Sequence, residues 1–289
     1  MIRLSAGLAS LLVDTDQGGR IASFVVAGRE LLVTSGFGPF GWGSFPMAPF
    51  AGRLRNARLA FDGRTYELPA NEAPHALHGL VAERPWETLD QDAATVTIGC
   101  ELGPPWPFGG RVRQRFALAA DSLDVTMELE ADEPQPAVIG WHPWFRRRVA
   151  AAGGPLDGAG DEGEEIELDI EPGAMYRLDA AGIPTGELVD PVPRPWDDCF
   201  VGLARPPVVR WPGVLSLAID SSADAWVVYD RQIDGICIEP QTGPPDEPNF
   251  APRIVVPGDP LRIAMTWRWW PDDRAAEGGV DAADAPDAV

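Results

Sequence analysis

The sequence predicts an all-β fold, a sandwich or barrel of short strands, and three observations carry that prediction. Few windows of twelve residues lack a Gly or Pro, so long helices have little room. Apolar residues mostly alternate with polar ones instead of recurring at helical spacing. Across 289 residues, 31 Gly and 30 Pro supply turns between the alternating segments. The pattern is clearest at 123–129, where Leu123, Val125, Met127 and Leu129 point one way and Asp124, Thr126 and Glu128 the other.

At the N-terminus, Arg3 and the apolar stretch 4–13 faintly match a secretory leader. Ser5, Gly7 and Ser10 interrupt that stretch, Asp14 stops it and no convincing cleavage site follows, so it reads as a first strand. A strand at 21–26 comes next. Leu59-Ala60-Phe61, Asp62-Gly63 and Thr65-Tyr66-Glu67-Leu68 form a hairpin, because Asp-Gly supplies the positive φ of a tight turn. Further strands are expected at 112–118, 215–219, 225–229, 235–238 and 262–269. Residues 151–171 begin Ala-Ala-Gly-Gly-Pro and carry eight acidic side chains with no basic one, the pattern of an acidic loop. Residues 272–289 hold almost nothing to bury and read as a disordered acidic tail. No repeat or linker divides the rest, so 1–271 is expected to be a single domain, a size that large all-β domains reach.

The composition excludes several functions. All 23 basic residues are Arg, which removes Schiff-base, pyridoxal-lysine and P-loop chemistry. A formal charge of −21 argues against a nucleic-acid partner. No apolar run approaches the roughly 20 residues of a membrane span. Cys100, Cys199 and Cys237 are odd in number and form no C-x-x-C pair, as expected of a reduced cytoplasmic protein.

Chemistry must then come from few residues. His75 and His78 lie in the loop Asn71-Glu72-Ala73-Pro74-His75-Ala76-Leu77-His78-Gly79, and His142 lies in Gly140-Trp141-His142-Pro143-Trp144-Phe145 at a strand end. Imidazole suits proton transfer near neutral pH. A metal would need more ligands than H-x-x-H and His142 obviously provide, so none is expected. Glu239 follows the apolar strand Gly235-Ile236-Cys237-Ile238, where partial burial would raise its pKa and make it a useful base. Asp197 begins a similar loop-to-strand step at Asp197-Asp198-Cys199-Phe200. Arg53, beside Gly52, offers a forked donor for hydroxyl or carboxylate oxygens. Eleven tryptophans are available to stack on flat ligand faces, although most are expected in the core or on strand surfaces.

The ordered set is more specific than its members. Pro46-Met47-Ala48-Pro49-Phe50-Ala51-Gly52-Arg53-Leu54-Arg55-Asn56 leads into the Asp62-Gly63 hairpin, Leu77-His78-Gly79, Gly140-Trp141-His142-Pro143, Asp197-Asp198-Cys199-Phe200 and Glu239-Pro240-Gln241. Over roughly 15–270 this resembles the aldose 1-epimerase (galactose mutarotase) family. The resemblance implies a large antiparallel β-sandwich with an open sugar cleft and no cofactor. It implies Glu239 as general base, His142 as general acid, and Arg53, His78 and Asp197 as ligands of sugar hydroxyls. A small-molecule sugar is then the expected partner, bound by a monomer or homodimer. Three positions depart from the common pattern: Gly52 replaces an asparagine, Val227 a glutamine and Trp144 a tyrosine. Mutarotation needs one proton removed from the C1 hydroxyl and one given to the ring oxygen, so an ionised Glu239 and a protonated His142 are expected at rest. Three other readings remain open: a glycoside hydrolase using Asp197 and Glu239, a non-catalytic sugar-binding protein, and a sugar-phosphate enzyme using Arg146-Arg147-Arg148.

Overall fold

The computed structural model describes residues 1–150 and 163–272. Two large antiparallel sheets dominate it. The first runs, edge to edge, Ile2–Ala6, Ala9–Asp14, Arg20–Val26, Ser44–Met47, Gly140–Arg146, Gly235–Gln241, Ala225–Tyr229, Asp197–Val201, Ala174–Leu178 and Pro184–Val189, with Arg29–Glu30 added beside Arg20–Val26. The second runs Glu87–Gln91, Thr95–Glu101, Arg111–Leu118, Ser122–Glu130, Leu261–Pro271, Leu215–Ser221, Val208–Trp211 and Glu167–Asp169. The strands predicted after residue 20 all form, and the Asp62-Gly63 turn joins Arg58–Phe61 to Arg64–Glu67 with both turn residues at positive φ.

The period-2 alternation sends one face of each sheet into a shared core. Phe24 and Phe145 from the first sheet meet Trp267 of the second at ring separations of 5.3 and 5.1 Å. Trp141 reaches across too, its Nε1 donating to Gln114 Oε1 at 2.8 Å. On the Gly140–Arg146 strand the odd residues Trp141 and Phe145 therefore face the core. His142 and Trp144 are left on the opposite face, where loops cover them.

Two expectations are corrected. The apolar stretch 4–13 is not one strand but parts of two, Ile2–Ala6 and Ala9–Asp14, folded into a hairpin at Gly7, whose φ is 58°. The acidic segment is not wholly a loop. Glu167–Asp169 forms an edge strand on Val208–Trp211, and Glu165 accepts hydrogen bonds from Arg147 and Arg148. Arginines across the sheet edge neutralise this end of the acidic run: Arg210 bonds Glu167 and Arg205 bonds Asp169. Residues 151–162 of that segment and residues 273–289 of the expected tail lie outside the described residues. Asp272, assigned to the tail, is buried and accepts a hydrogen bond from the Gly213 amide at 2.8 Å.

Candidate active site

Four adjacent strands of the first sheet form the floor of a cleft of about 200 Å³. Their register builds the floor in two rows. Val227 stands opposite Glu239, and Cys199 opposite Val227. Two residues along, Cys237 faces Trp144 on one side and Tyr229 on the other, with Asp197 beyond Tyr229. Pairing Gly140 with Gln241 and Trp144 with Cys237 sets His142 across from Glu239. The first row therefore reads His142, Glu239, Val227, Cys199, and the second Trp144, Cys237, Tyr229, Asp197. All five residues nominated from sequence, Arg53, His78, His142, Asp197 and Glu239, line this one cleft.

The centre of the floor is a buried pair. His142 Nε2 lies 3.2 Å from Glu239 Oε1, with the two side chains only 6% and 3% exposed. Glu239 Oε2 accepts a hydrogen bond from Gln241 Nε2 at 3.2 Å, so Gln241 orients the carboxyl. The imidazole is held by aromatic rings: Phe45 stacks on it at 4.7 Å and Trp144 at 5.4 Å. His78 meets its edge at 4.9 Å. Trp144 is itself fixed by donating from Nε1 to the Phe40 carbonyl at 2.7 Å. A ring held this way cannot leave the carboxyl without disturbing three aromatic contacts.

Burial governs the electrostatics, because removing a charged form from water costs more than its neighbours return. It pushes the Glu239 carboxyl well above the ordinary range, and the nearby Asp197 charge adds to this. It pushes His142 down, and the positive charge of Arg20 works in the same direction. The same desolvation depresses His78, aided by His142 and Arg53. Asp197 is raised by burial, with Arg53 and Arg231 opposing the shift. Both shifts run against the expected resting state, an ionised Glu239 beside a protonated His142, and favour the uncharged forms. Burial is the largest cause at the imidazole, and Arg20 adds to it.

The rim holds the remaining polar groups. Arg53 Nη2 bonds Glu72 Oε1 at 2.9 Å, which leaves the rest of the fork free to face the cleft. Arg53 is presented by Gly52, whose φ of 62° places a hypothetical Cβ 2.5 Å from Pro245 Cγ. The asparagine commonly found at this position is therefore incompatible with Pro245 as placed. Gly52→Ala is expected to cost about 1–2 kcal/mol from the left-handed backbone alone. It should also raise the KM of any sugar that Arg53 binds, and denaturant titration with steady-state kinetics measures both. His75 stays apart from the cleft, its Nδ1 accepting the Asn56 amide at 3.1 Å.

Among the described residues the one group with metal-ligand chemistry is His142, Cys237 and Glu239, whose donor atoms lie within 4.8 Å of one another. Burial holds the Cys237 thiol well above its usual range, and His142 and Glu239 already satisfy each other. The set fits a proton-transfer pair better than a ligand cage. Sequence reasoning missed Phe45, Gln241 and Glu72 as supporting residues. Gln241 was visible in Glu239-Pro240-Gln241, since two residues along a strand is the same face.

Two large antiparallel sheets with this cleft define the mutarotase-like fold. Solved structures agree: a putative aldose 1-epimerase from Escherichia coli K12 aligns with a TM-score of 0.77 at 22% identity, covering 93% of this chain and 98% of that one. A galactose mutarotase-like protein from Clostridium acetobutylicum aligns with a TM-score of 0.79 at 17% identity, covering 93% and 94%. The sequence profile of the family Aldose 1-epimerase matches residues 1–265, and the chain belongs to that family. Among curated relatives, the E. coli uncharacterized protein YphB is 33% identical over 105 residues, 35% of this chain and 36% of YphB. The E. coli aldose 1-epimerase is 25% identical over 143 residues, 47% of this chain and 38% of the relative. These curated matches each span well under half the relative's length.

Proposed function

We propose that the protein interconverts the α and β anomers of a free, uncharged aldose, with Glu239 as base and His142 as acid. The observation that carries this reading is the 3.2 Å His142–Glu239 pair on the floor of a sugar-sized cleft. The C1 hydroxyl oxygen and the ring oxygen O5 are bonded to the same carbon, so groups serving both must stand close together. A glycosidase pair instead spans a glycosidic bond, with carboxyls about 5 Å or more apart.

In the forward step, Glu239 takes the proton of the C1 hydroxyl while His142 gives one to O5. The C1–O5 bond breaks, leaving a carbonyl at C1 and a hydroxyl at C5. Rotation about C1–C2 presents the other carbonyl face, and ring closure reverses both transfers. Arg53, His78 and Asp197 anchor hydroxyls away from C1, which fixes the sugar while its anomeric carbon turns. The pair needs one movable proton. A protonated Glu239 beside neutral His142 holds as many protons as a carboxylate beside an imidazolium. The two differ only by a shift along the 3.2 Å contact. Sugar hydroxyls entering the cleft supply the polarity that the empty pocket lacks, and the proton then moves to His142.

A pH profile follows with a definite sign. The one-proton pair is lost to acid when His142 gains a second proton, and burial moves that limb below the usual 6.5. It is lost to alkali when Glu239 gives its proton up, and burial moves that limb above the usual 4.5. The acid limb of kcat/KM is therefore expected below pH 6.5, and a half-loss on acidification near pH 6.5 would contradict the assignment.

The phosphorylated-sugar reading loses its arginines. Arg146 donates to the Leu32 carbonyl, and Arg147 and Arg148 are tied to Glu165. None of the three lines the cleft. Exchange NMR on D-galactose and D-glucose tests the proposal: saturating the α anomeric proton should attenuate the β signal in proportion to protein added. Sugar binding without such transfer would overturn it in favour of a non-catalytic binder.

A further inference from the structure

The register of the cleft floor assigns positions around the sugar ring, given the roles of Glu239 and His142 just proposed. C1 has two ring neighbours, O5 and C2, on opposite sides. His142 and Val227 likewise flank Glu239 on opposite strands, Gly140–Arg146 and Ala225–Tyr229. Adjacent strands lie about 4.8 Å apart, so the two flanks stand at similar distances from Glu239. With O5 directed to His142, C2 extends over Val227.

That flank offers little to a hydroxyl. The Val227 side chain has no polar atom. Cys199, next in the row, carries a thiol, a weak donor and acceptor that burial holds protonated. Gly52 contributes no side chain to the cleft lining, and Pro245 packs where one would project. Of the strongly bonding groups, Asp197 lies in the second row beyond Tyr229, and Arg53 lines the cleft from the rim without belonging to the first row.

We propose that the cleft leaves the C2 substituent unread, that 2-deoxyaldoses are substrates on a par with their 2-hydroxy parents, and that Val227 sets this tolerance. A site built to hydrogen-bond a hydroxyl rejects the analogue lacking it by orders of magnitude, whereas an apolar site discriminates weakly. Nothing along the first row beyond Glu239 would lose a partner when the C2 hydroxyl is removed.

The test compares mutarotation of D-glucose and 2-deoxy-D-glucose by polarimetry in the wild-type protein, Val227→Gln and the shape-matched Val227→Thr. The wild-type ratio of kcat/KM should lie within about threefold of unity, as expected for an unread position. Either variant, by supplying a bonding group, should shift the ratio at least about tenfold toward glucose. Far-ultraviolet circular dichroism confirms that the variants fold, and Val227→Thr serves if the longer glutamine does not. A wild-type preference for glucose of about tenfold or more, or an unchanged ratio in folded variants, would overturn the proposal while leaving the epimerase reading intact. Acceleration of neither sugar by the wild-type protein would remove both.

Discussion

Glu239→Gln and His142→Asn are each expected to lower kcat/KM for mutarotation by about 10² to 10⁴-fold, the usual contribution of a positioned acid or base. Glutamine keeps the volume and one acceptor toward His142 but cannot take a proton, so binding should persist while the chemical step fails. The double variant should be little worse than either single one, because the two groups act on one carbon as a unit. Stability distinguishes this from damage to the fold. Above pH 4.5 an unfolded Glu239 is ionised, whereas the folded carboxyl, raised by burial, keeps its proton. The folded state then binds more protons than the unfolded one, and stability falls as pH rises from 4.5 toward the raised value. Glutamine has no such dependence. Glu239→Gln should melt no lower than the wild-type protein at pH 8, and a lower melting temperature there would contradict the buried-carboxyl account.

Trp267→Ala is expected to destabilise the protein by about 3–5 kcal/mol, the range for removing a large buried aromatic. Trp267 is fully buried on the Leu261–Pro271 strand and touches Phe24 and Phe145, so it ties the second sheet to the first. Phe145 shares its strand with His142, three residues away and on the opposite face. Loosening the core beneath that strand lowers the unfolding free energy, but the aromatic clamp of Phe45 and Trp144 holds the imidazole from the cleft side. Urea titration should show the full loss, while kcat/KM of the folded fraction changes little. A large fall in activity with unchanged stability would mean that the core residue orients the site directly.

Much of this was legible in the chain because the informative signals are local. Alternation at 123–129 gave a strand whose buried residues are the predicted ones, and Asp62-Gly63 marked its hairpin by backbone requirement alone. The site residues Arg53, His78, His142, Asp197 and Glu239 could be nominated from five short motifs, and the structure brings all five to one cleft. Register was not legible. That Phe45 closes on His142 depends on pairing strands about a hundred residues apart in sequence, and that Val227 stands opposite Glu239 depends on the exact register of two neighbouring strands. The charge state was misjudged for the same reason. Burial of the His142–Glu239 pair is a property of what packs around it, and the sequence near His142 contains no trace of Arg20. The acidic run at 151–171 looked uniform, yet Glu167–Asp169 is drawn into a sheet by arginines near residue 210.

The central claim is that one buried histidine–glutamate pair opens and recloses an aldose ring. Polarimetry on freshly dissolved α-D-galactose and α-D-glucose tests it most directly. The account predicts an exponential approach to the equilibrium rotation whose rate constant rises linearly with protein concentration and returns to the buffer value with Glu239→Gln. A rate equal to the buffer blank for both sugars would contradict it, as would an acceleration that the substitution leaves undiminished.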